Sequence, residues 1–115
     1  MRNFKELLVW QKSIKLVTHV YKVTKDFPDE EKYGLINQMR RSTVSIPSNI
    51  AEGHMRNTNK DFGQFLAIAQ GSCAELETQI IIAHSLNYID KDKNQRLVSE
   101  VDEIAKMLSS LRSKL

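Results

Sequence analysis

Histidine and carboxylate side chains are the residues of this chain that could form a metal site, because together they bind metal ions. A di-iron centre in a helical bundle needs Glu-x-x-His pairs, whose side chains lie one helical turn apart. The three histidines are His19, His54 and His84, and none of them follows a glutamate at that spacing. Glu52 lies two residues before His54, which puts it on a different helix face. The sequence therefore predicts no metal site and no cofactor.

Motifs for catalysis and for nucleotide binding are absent from the sequence. It contains no GxGxxG, GxxxxGK(S/T), HExxH or GxSxG pattern. A helical ribonuclease of the HEPN class would carry an arginine followed, a little over one helical turn later, by a histidine, and no arginine here has that neighbour. Cys73 falls in an apolar seam, where a cysteine is better interpreted as a small core residue than as a nucleophile. We therefore predict no catalytic residues and no small-molecule substrate.

Positive charge is concentrated near the start of the chain. The 115 residues include 17 Lys and Arg against 14 Asp and Glu, a net charge of +3. Residues 1–25 contain six of these cations and one acid, whereas residues 61–86 contain three acids and no Lys or Arg. Such a basic segment either binds the phosphates of RNA or DNA or complements acidic groups of the same protein or of a neighbouring subunit. The lysines predicted to bind nucleic acid are Lys5, Lys12, Lys15 and Lys22.

Apolar residues recur at helical spacing along the chain, and no segment alternates as a strand would. The pattern predicts an all-α protein, an antiparallel up-and-down four-helix bundle that forms a single domain over residues 1–115. In the third helix, we expect a close backbone approach around Gly71 to Ala74. The predicted seams are Leu7, Trp10, Ile14, Val17, Tyr21 and Thr24 in the first helix; Ile36, Met39, Thr43, Ile46, Ile50 and Gly53 in the second; Phe62, Leu66, Ala69, Cys73, Leu76, Ile80, Ala83 and Asn87 in the third; and Leu97, Val101, Ile104, Leu108, Leu111 and Leu115 in the last.

The second helix contains Pro47, which must kink or break it, because proline lacks an N–H and clashes with the carbonyl four residues earlier. If the helix restarts there, Asn49 and Glu52 would form a capping pair. The acidic run 29–31 suits the first turn of this helix. A polar stripe also recurs along one face: Gln38, Arg41, Ser45, Asn49 and Glu52.

Charged residues on the second and third helices suggest contacts between subunits. The first and third helices are apolar over arcs too wide for one neighbour, so we expect a homo-oligomer. In it, Arg40 or Arg41 would meet an acid of the next copy. The alternative is a solvated polar face. The predicted interface consists of the polar stripe together with Arg40, Glu75 and Glu77.

The expected location is the cytoplasm. A single cysteine permits no intrachain disulfide, which is typical of a reducing compartment. The first residues carry lysines through their apolar stretch and resemble no secretory signal. No apolar run reaches the length of a membrane span, so no membrane contact is expected.

Three segments carry a resemblance to a known family: VWQKS at 9–13, QMRRSTVSIPSNIAEG at 38–53 and FLAIAQGSCAELETQ at 65–79. They resemble the four-helix-bundle proteins first named for reading frames inside intervening sequences of bacterial large-subunit ribosomal RNA. Relatives that accompany diversity-generating reverse transcriptases are similar in fold and form a five-subunit barrel, whose basic surface engages the transcriptase and nucleic acid. The resemblance implies a homo-oligomer, a pentamer, and no catalytic residues.

These observations predict a non-enzymatic, oligomeric module whose partner is RNA, DNA or a nucleic-acid enzyme. The alternative is a structural scaffold whose partner is another protein. The two differ in their response to salt, because binding to phosphates weakens steeply as the salt concentration rises.

Overall fold

The computed structural model describes residues 3–115, which form four long helices and two short 3-10 helices, with no strand in this range. The long helices are α1 (Leu8–Thr24), α2 (Leu35–His54), α3 (Asn59–Ser85) and α4 (Lys91–Ser113). Each packs against its neighbours in the chain, and α1 also packs against α4, whereas α1 and α3 lie at opposite corners. This arrangement confirms the predicted all-α four-helix bundle.

The helix ends follow from local chemistry. The Thr58 side chain accepts a hydrogen bond from the N–H of Asp61 at the start of α3, and Asp90 does the same for Lys93 at the start of α4. Between α3 and α4, Asn87 adopts a positive φ of 64°, which asparagine tolerates better than most residues. Residues 29–31 form a separate 3-10 helix, so the prediction that they begin the second helix is wrong.

The core contains the predicted seams of α2, α3 and α4, of which only the end members are half-buried or exposed. The seam predicted for α1 is wrong, because Ile14 and Tyr21 are 38% and 41% exposed. The buried face instead includes Ser13, and it keeps Thr24 of the predicted seam. Both side chains donate hydrogen bonds to backbone carbonyls within α1, so they are buried at little cost. The buried face of α1 consists of Val9, Ser13, Leu16, Val20 and Thr24.

Helix α2 runs without interruption through Pro47, which excludes a break at that residue. Asn49 therefore lies inside the helix and does not cap a restarted one. Its side-chain Nδ2 instead donates to the backbone oxygen of Ser45 at 2.8 Å and to the Ser45 hydroxyl at 2.9 Å.

Helices α2 and α3 approach each other closely at Gly53, a position at which the sequence pattern did not predict this contact. A Cβ atom added to Gly53 of α2 would lie 2.6 Å from the Cβ of Phe65 on α3. A Cβ added to Gly71 would meet no atom within 4 Å. Gly71 itself takes no part in a close approach, because it lies on the outer face of α3. Within residues 71–74, the contact with α2 is made by Ser72, whose hydroxyl lies 2.9 Å from that of Ser45.

Candidate nucleic-acid interface

The basic residues of α1 lie along the edge of the bundle that faces α4. Lys12, Lys15 and Lys22 share one face of the helix, because their spacing follows the helical repeat. Lys5 does not belong to this helix: it lies in the 3-10 helix Phe4–Glu6, and Leu7 has extended backbone angles that separate the two elements. The predicted stripe of four lysines therefore consists of three on α1 and one on the preceding turn.

Acidic residues of α4 neutralise part of this basic face. The Nζ atom of Lys12 lies 3.1 Å from Oε1 of Glu103, and Nδ1 of His19 lies 2.6 Å from Oε1 of Glu100. The exposed Lys15 and Lys22 form no ion pair within residues 3–115. Charge complementarity within one chain thus applies to Lys12, although its partner lies on α4 and not on the acidic segment noted in the sequence.

A pocket of about 380 Å³ lies between the end of α1 and the beginning of α4. Sequence reasoning missed two of its cations, Lys93 and Arg96, because it considered basic residues only on the first helix. Their spacing of three residues, which brings both onto one face of α4, is the signal that could have identified them. The pocket is lined by His19, Lys22, Val23, Asp26, Lys93, Arg96 and Leu97.

Arg40 and Arg41, both predicted to lie at a subunit interface, have different environments. Arg40 faces α1: its Nε donates to the hydroxyl of Thr24 at 3.0 Å, and its guanidinium lies 4.4 Å from the ring centre of Tyr21. Arg40 is thus held within its own chain. Arg41 is exposed and forms no ion pair among residues 3–115.

The rest of the polar stripe lies along the contact between α2 and α3. The Ser45 hydroxyl lies 2.9 Å from that of Ser72 on α3, so Ser45 and the attached Asn49 serve this contact. Glu52 accepts a hydrogen bond at 2.7 Å from Arg56, which lies four residues later, just beyond the end of α2. Three residues of the stripe, Ser45, Asn49 and Glu52, therefore have partners within the same chain.

The two glutamates of α3 lie on opposite edges of the helix. Glu75 lines a shallow groove together with Gln38 of α2 and Ile82. Glu77 lies one heptad after Gln70, which accepts a hydrogen bond from Arg112 of α4 at 2.7 Å. The structure therefore brings together Gln38 and Glu75 and places Glu77 towards α4.

Cys73 is a buried, free thiol in the core seam of α3. Burial, together with the charge of Glu77, raises the pKa of Cys73 to about 12. A thiol with this pKa is protonated near neutral pH and is a poor nucleophile. Among the residues that the structure describes, no group of three His, Cys, Asp or Glu side chains is arranged to hold a metal ion.

Apolar side chains remain uncovered on two sides of the bundle. A groove between α1 and α2 is lined by Trp10, Ile14, Val17, Val44 and Pro47. On the outer surface of α3, four large apolar side chains are 43–51% exposed: Ile68, Ile81, Ile82 and Leu86. Within residues 3–115, no helix has both the length and the hydropathy needed to cross a membrane.

Known proteins resemble this chain both in sequence and in structure, over nearly its whole length. The family described as "23S rRNA-intervening sequence protein" matches residues 5–110. The chain belongs to this family. The 23S rRNA-intervening sequence family thus accounts for the segments singled out in the sequence, all of which lie inside the matched range.

Among solved structures, a protein of unknown function of the S23 ribosomal protein family from Bacteroides thetaiotaomicron is similar to this family member. The TM-score is 0.85 at 26% identity, over 91% of this chain and 98% of that chain. No curated protein matches the chain. Neither the family's description nor that of the neighbour specifies a catalytic activity.

Proposed function

We propose that this protein is a non-enzymatic, homo-oligomeric module that binds RNA or DNA in the cytoplasm. The observation that carries the proposal is that two of the three lysines on the basic edge of α1, formed by Lys12, Lys15 and Lys22, are exposed and form no ion pair in the part of the chain that the structure describes. Lys15 and Lys22 extend into solvent from one face of α1 and have no carboxylate partner within residues 3–115, although the neighbouring Lys12 has one. Lysines that are left without a partner are available to phosphates.

Assembly would strengthen this weak charge. One chain carries a net charge of +3, which by itself supports little affinity for nucleic acid. Several copies in one ring would present several basic edges to one strand, so that contacts after the first become intramolecular. Each phosphate that is neutralised releases counterions, which makes such binding strongly dependent on salt.

The two uncovered apolar surfaces support the assembly. The groove between α1 and α2 and the outer surface of α3 are different surfaces, so contact between them is heterologous and generates a ring when the rotation closes. Gln38, Arg41 and Glu75 lie along the α2–α3 edge, where they would contribute polar contacts at the rim. The resemblance to five-subunit relatives makes the pentamer the ring that we propose.

A protein partner is the second candidate. The observation in its favour is the groove between α1 and α2, because an apolar helix of another protein could bury itself there as well as a second copy could. In that case the molecule is a scaffold, and its binding persists at high salt.

Retention of nucleic acid by the purified protein tests the proposal. Light scattering combined with absorbance at nucleic-acid and protein wavelengths should find an oligomer that carries nucleic acid at low salt and loses it at high salt. The variant Lys15→Glu/Lys22→Glu should bind a short RNA at least about tenfold more weakly.

The matched control is Lys60→Glu/Lys114→Glu, which makes the same change of charge at exposed positions near the other end of the bundle. It should lose much less affinity. Equal binding by all three proteins, or binding that does not respond to salt, would overturn the nucleic-acid assignment and favour the scaffold.

A further inference from the structure

The pocket between α1 and α4 combines three cations with an apolar floor. Lys22 extends from the last turn of α1, and Lys93 and Arg96 extend from the first two turns of α4. All three are exposed, and none forms an ion pair within residues 3–115. We propose that this α1–α4 pocket is a specific site for a phosphate ester, a nucleotide or a nucleotide unit of a strand. The proposal rests on, and sharpens, the proposed function.

The charges around the pocket favour an anion. Asp26 is the one acid among the seven lining residues, and Glu100, just outside them, is held by His19. Counting only Lys, Arg, Asp and Glu, the three cations and these two acids leave one positive charge. Like charges converging on a concave surface repel one another, and a phosphate would relieve that repulsion. Arg96 adds a planar guanidinium, whose paired N–H groups match two phosphate oxygens.

One of the cations, Lys93, lies close to the N-terminus of α4, where Asp90 and Asp92 are the acidic residues. The N-terminus of a helix carries partial positive charge, so acidic side chains stabilise its first turn and basic ones destabilise it. Lys93 lies in this first turn. Its backbone N–H donates a hydrogen bond to the side chain of the N-cap residue Asp90, three residues earlier. The helix terminus and the three cations all attract the same kind of ligand.

The volume and the apolar floor of the pocket fit a ligand that carries an organic group beside its phosphate. A volume of about 380 Å³ lies within the range of small-ligand pockets and exceeds what a bare phosphate needs. Leu97 is 1% exposed and Val23 is half-buried, so the floor of the pocket is apolar. A ribose or base can cover these side chains while the phosphate contacts the cations around the rim.

The experiment compares Lys93→Gln/Arg96→Gln with a matched control, Lys60→Gln/Lys114→Gln, which removes the same charge from exposed positions near the other end of the bundle. The probes are adenosine monophosphate, inorganic phosphate, and a short single-stranded RNA with a 5′-phosphate or a 5′-hydroxyl. In NMR titrations, adenosine monophosphate should shift the backbone amide signals around Lys22, Lys93 and Arg96, and more so than inorganic phosphate.

For RNA, the pocket variant should bind roughly tenfold more weakly, and its log–log salt slope should fall by about 1.4, the value for two lost contacts to a single strand. The control should keep both properties nearly unchanged. Tighter binding of the 5′-phosphorylated strand identifies a terminal phosphate as the ligand. Equal binding of both strands identifies an internal one.

The outcomes separate the pocket from the proposed function. If the wild type binds RNA and the pocket variant binds it as well as the control does, the pocket proposal is overturned and the proposed function stands. If the wild type binds no RNA but adenosine monophosphate still shifts the pocket signals, the proposed function fails and the pocket stands. Absence of both effects overturns both.

Discussion

At the scale of single residues, Glu31 joins two distant parts of the chain. Its Oε1 accepts the N–H of Leu35 at 3.1 Å, and its Oε2 accepts the hydroxyl of Tyr88 at 2.8 Å. Gly34 precedes α2 and has no side chain to cap it, so the carboxylate of Glu31 performs that role. These two hydrogen bonds hold the pKa of Glu31 below its usual value, and the same contact raises the pKa of Tyr88.

Replacing Glu31 should make stability less dependent on pH. A carboxylate whose pKa is lowered by folding stabilises the folded state above its ordinary pKa of 4.5 and loses that contribution as pH falls through the lowered value. The urea midpoint of Glu31→Gln should therefore lie below that of the wild type at neutral pH and converge with it in acid. The control Glu30→Gln alters an exposed neighbour and should follow the wild-type profile. A gap that persists in acid would contradict this prediction.

At the scale of helices, small residues decide which faces meet. In α1, Val9, Leu16 and Val20 widen the apolar arc beyond the predicted seam, and the small Ser13, which bonds to its own backbone, lets this second arc face the core. Between α2 and α3, Gly53 lets the helices approach until Phe65 fills the space of the missing side chain. The continuity of α2 through Pro47 likewise depends on packing, because proline opposes an isolated helix.

Two glycine substitutions should change stability in opposite directions. Gly53→Ala should lower the free energy of unfolding by roughly 1–3 kcal/mol, because the new methyl group collides with Phe65 and Phe62. Gly71→Ala should raise it by about 0.5–1 kcal/mol, because alanine favours a helix interior and nothing lies near the site. Urea unfolding measures both effects. A loss of stability at Gly71 would contradict the prediction and indicate that the neighbouring subunit of the proposed ring approaches the helix at this residue.

At the scale of the whole molecule, the apolar and the charged surfaces are separated. The basic edge and its pocket lie between α1 and α4, whereas the apolar groove lies between α1 and α2 and the apolar outer surface on α3. Subunits in a ring could therefore contact one another without covering the cations. Because the two kinds of surface are separate, assembly and nucleic-acid binding are compatible in one molecule.

Variants on each apolar surface should test the heterologous ring. Ile14→Asp and Ile68→Asp each add a charge to one of the two surfaces, and each should reduce the assembled mass towards that of one 13.3 kDa chain. When the two variants are mixed, one intact surface from each should pair, and light scattering should find a heterodimer. The control Ser109→Asp alters an exposed residue of α4 and should assemble as the wild type does. Normal assembly of either apolar variant would remove that surface from the interface.

Residue patterns by themselves determined the class of fold and the core of three helices. Spacing at three and four residues places Leu66, Leu76 and Ile104 correctly because burial of a regular apolar stripe needs no knowledge of its neighbours. They also located the basic edge of α1. The family resemblance, carried by a few short segments, agrees with the match over residues 5–110.

Only the tertiary structure decided which of two apolar arcs of α1 faces the core, because both satisfy helical spacing and the choice depends on packing against α2 and α4. It likewise placed Arg40 against α1 while leaving Arg41 exposed, and it paired Lys12 with Glu103. Side chains far apart in sequence meet in this way only after the helices pack. The pocket formed by Lys22, Lys93 and Arg96 has the same origin. Local spacing fixes the faces of each helix, whereas the docking of the helices decides which faces share a site.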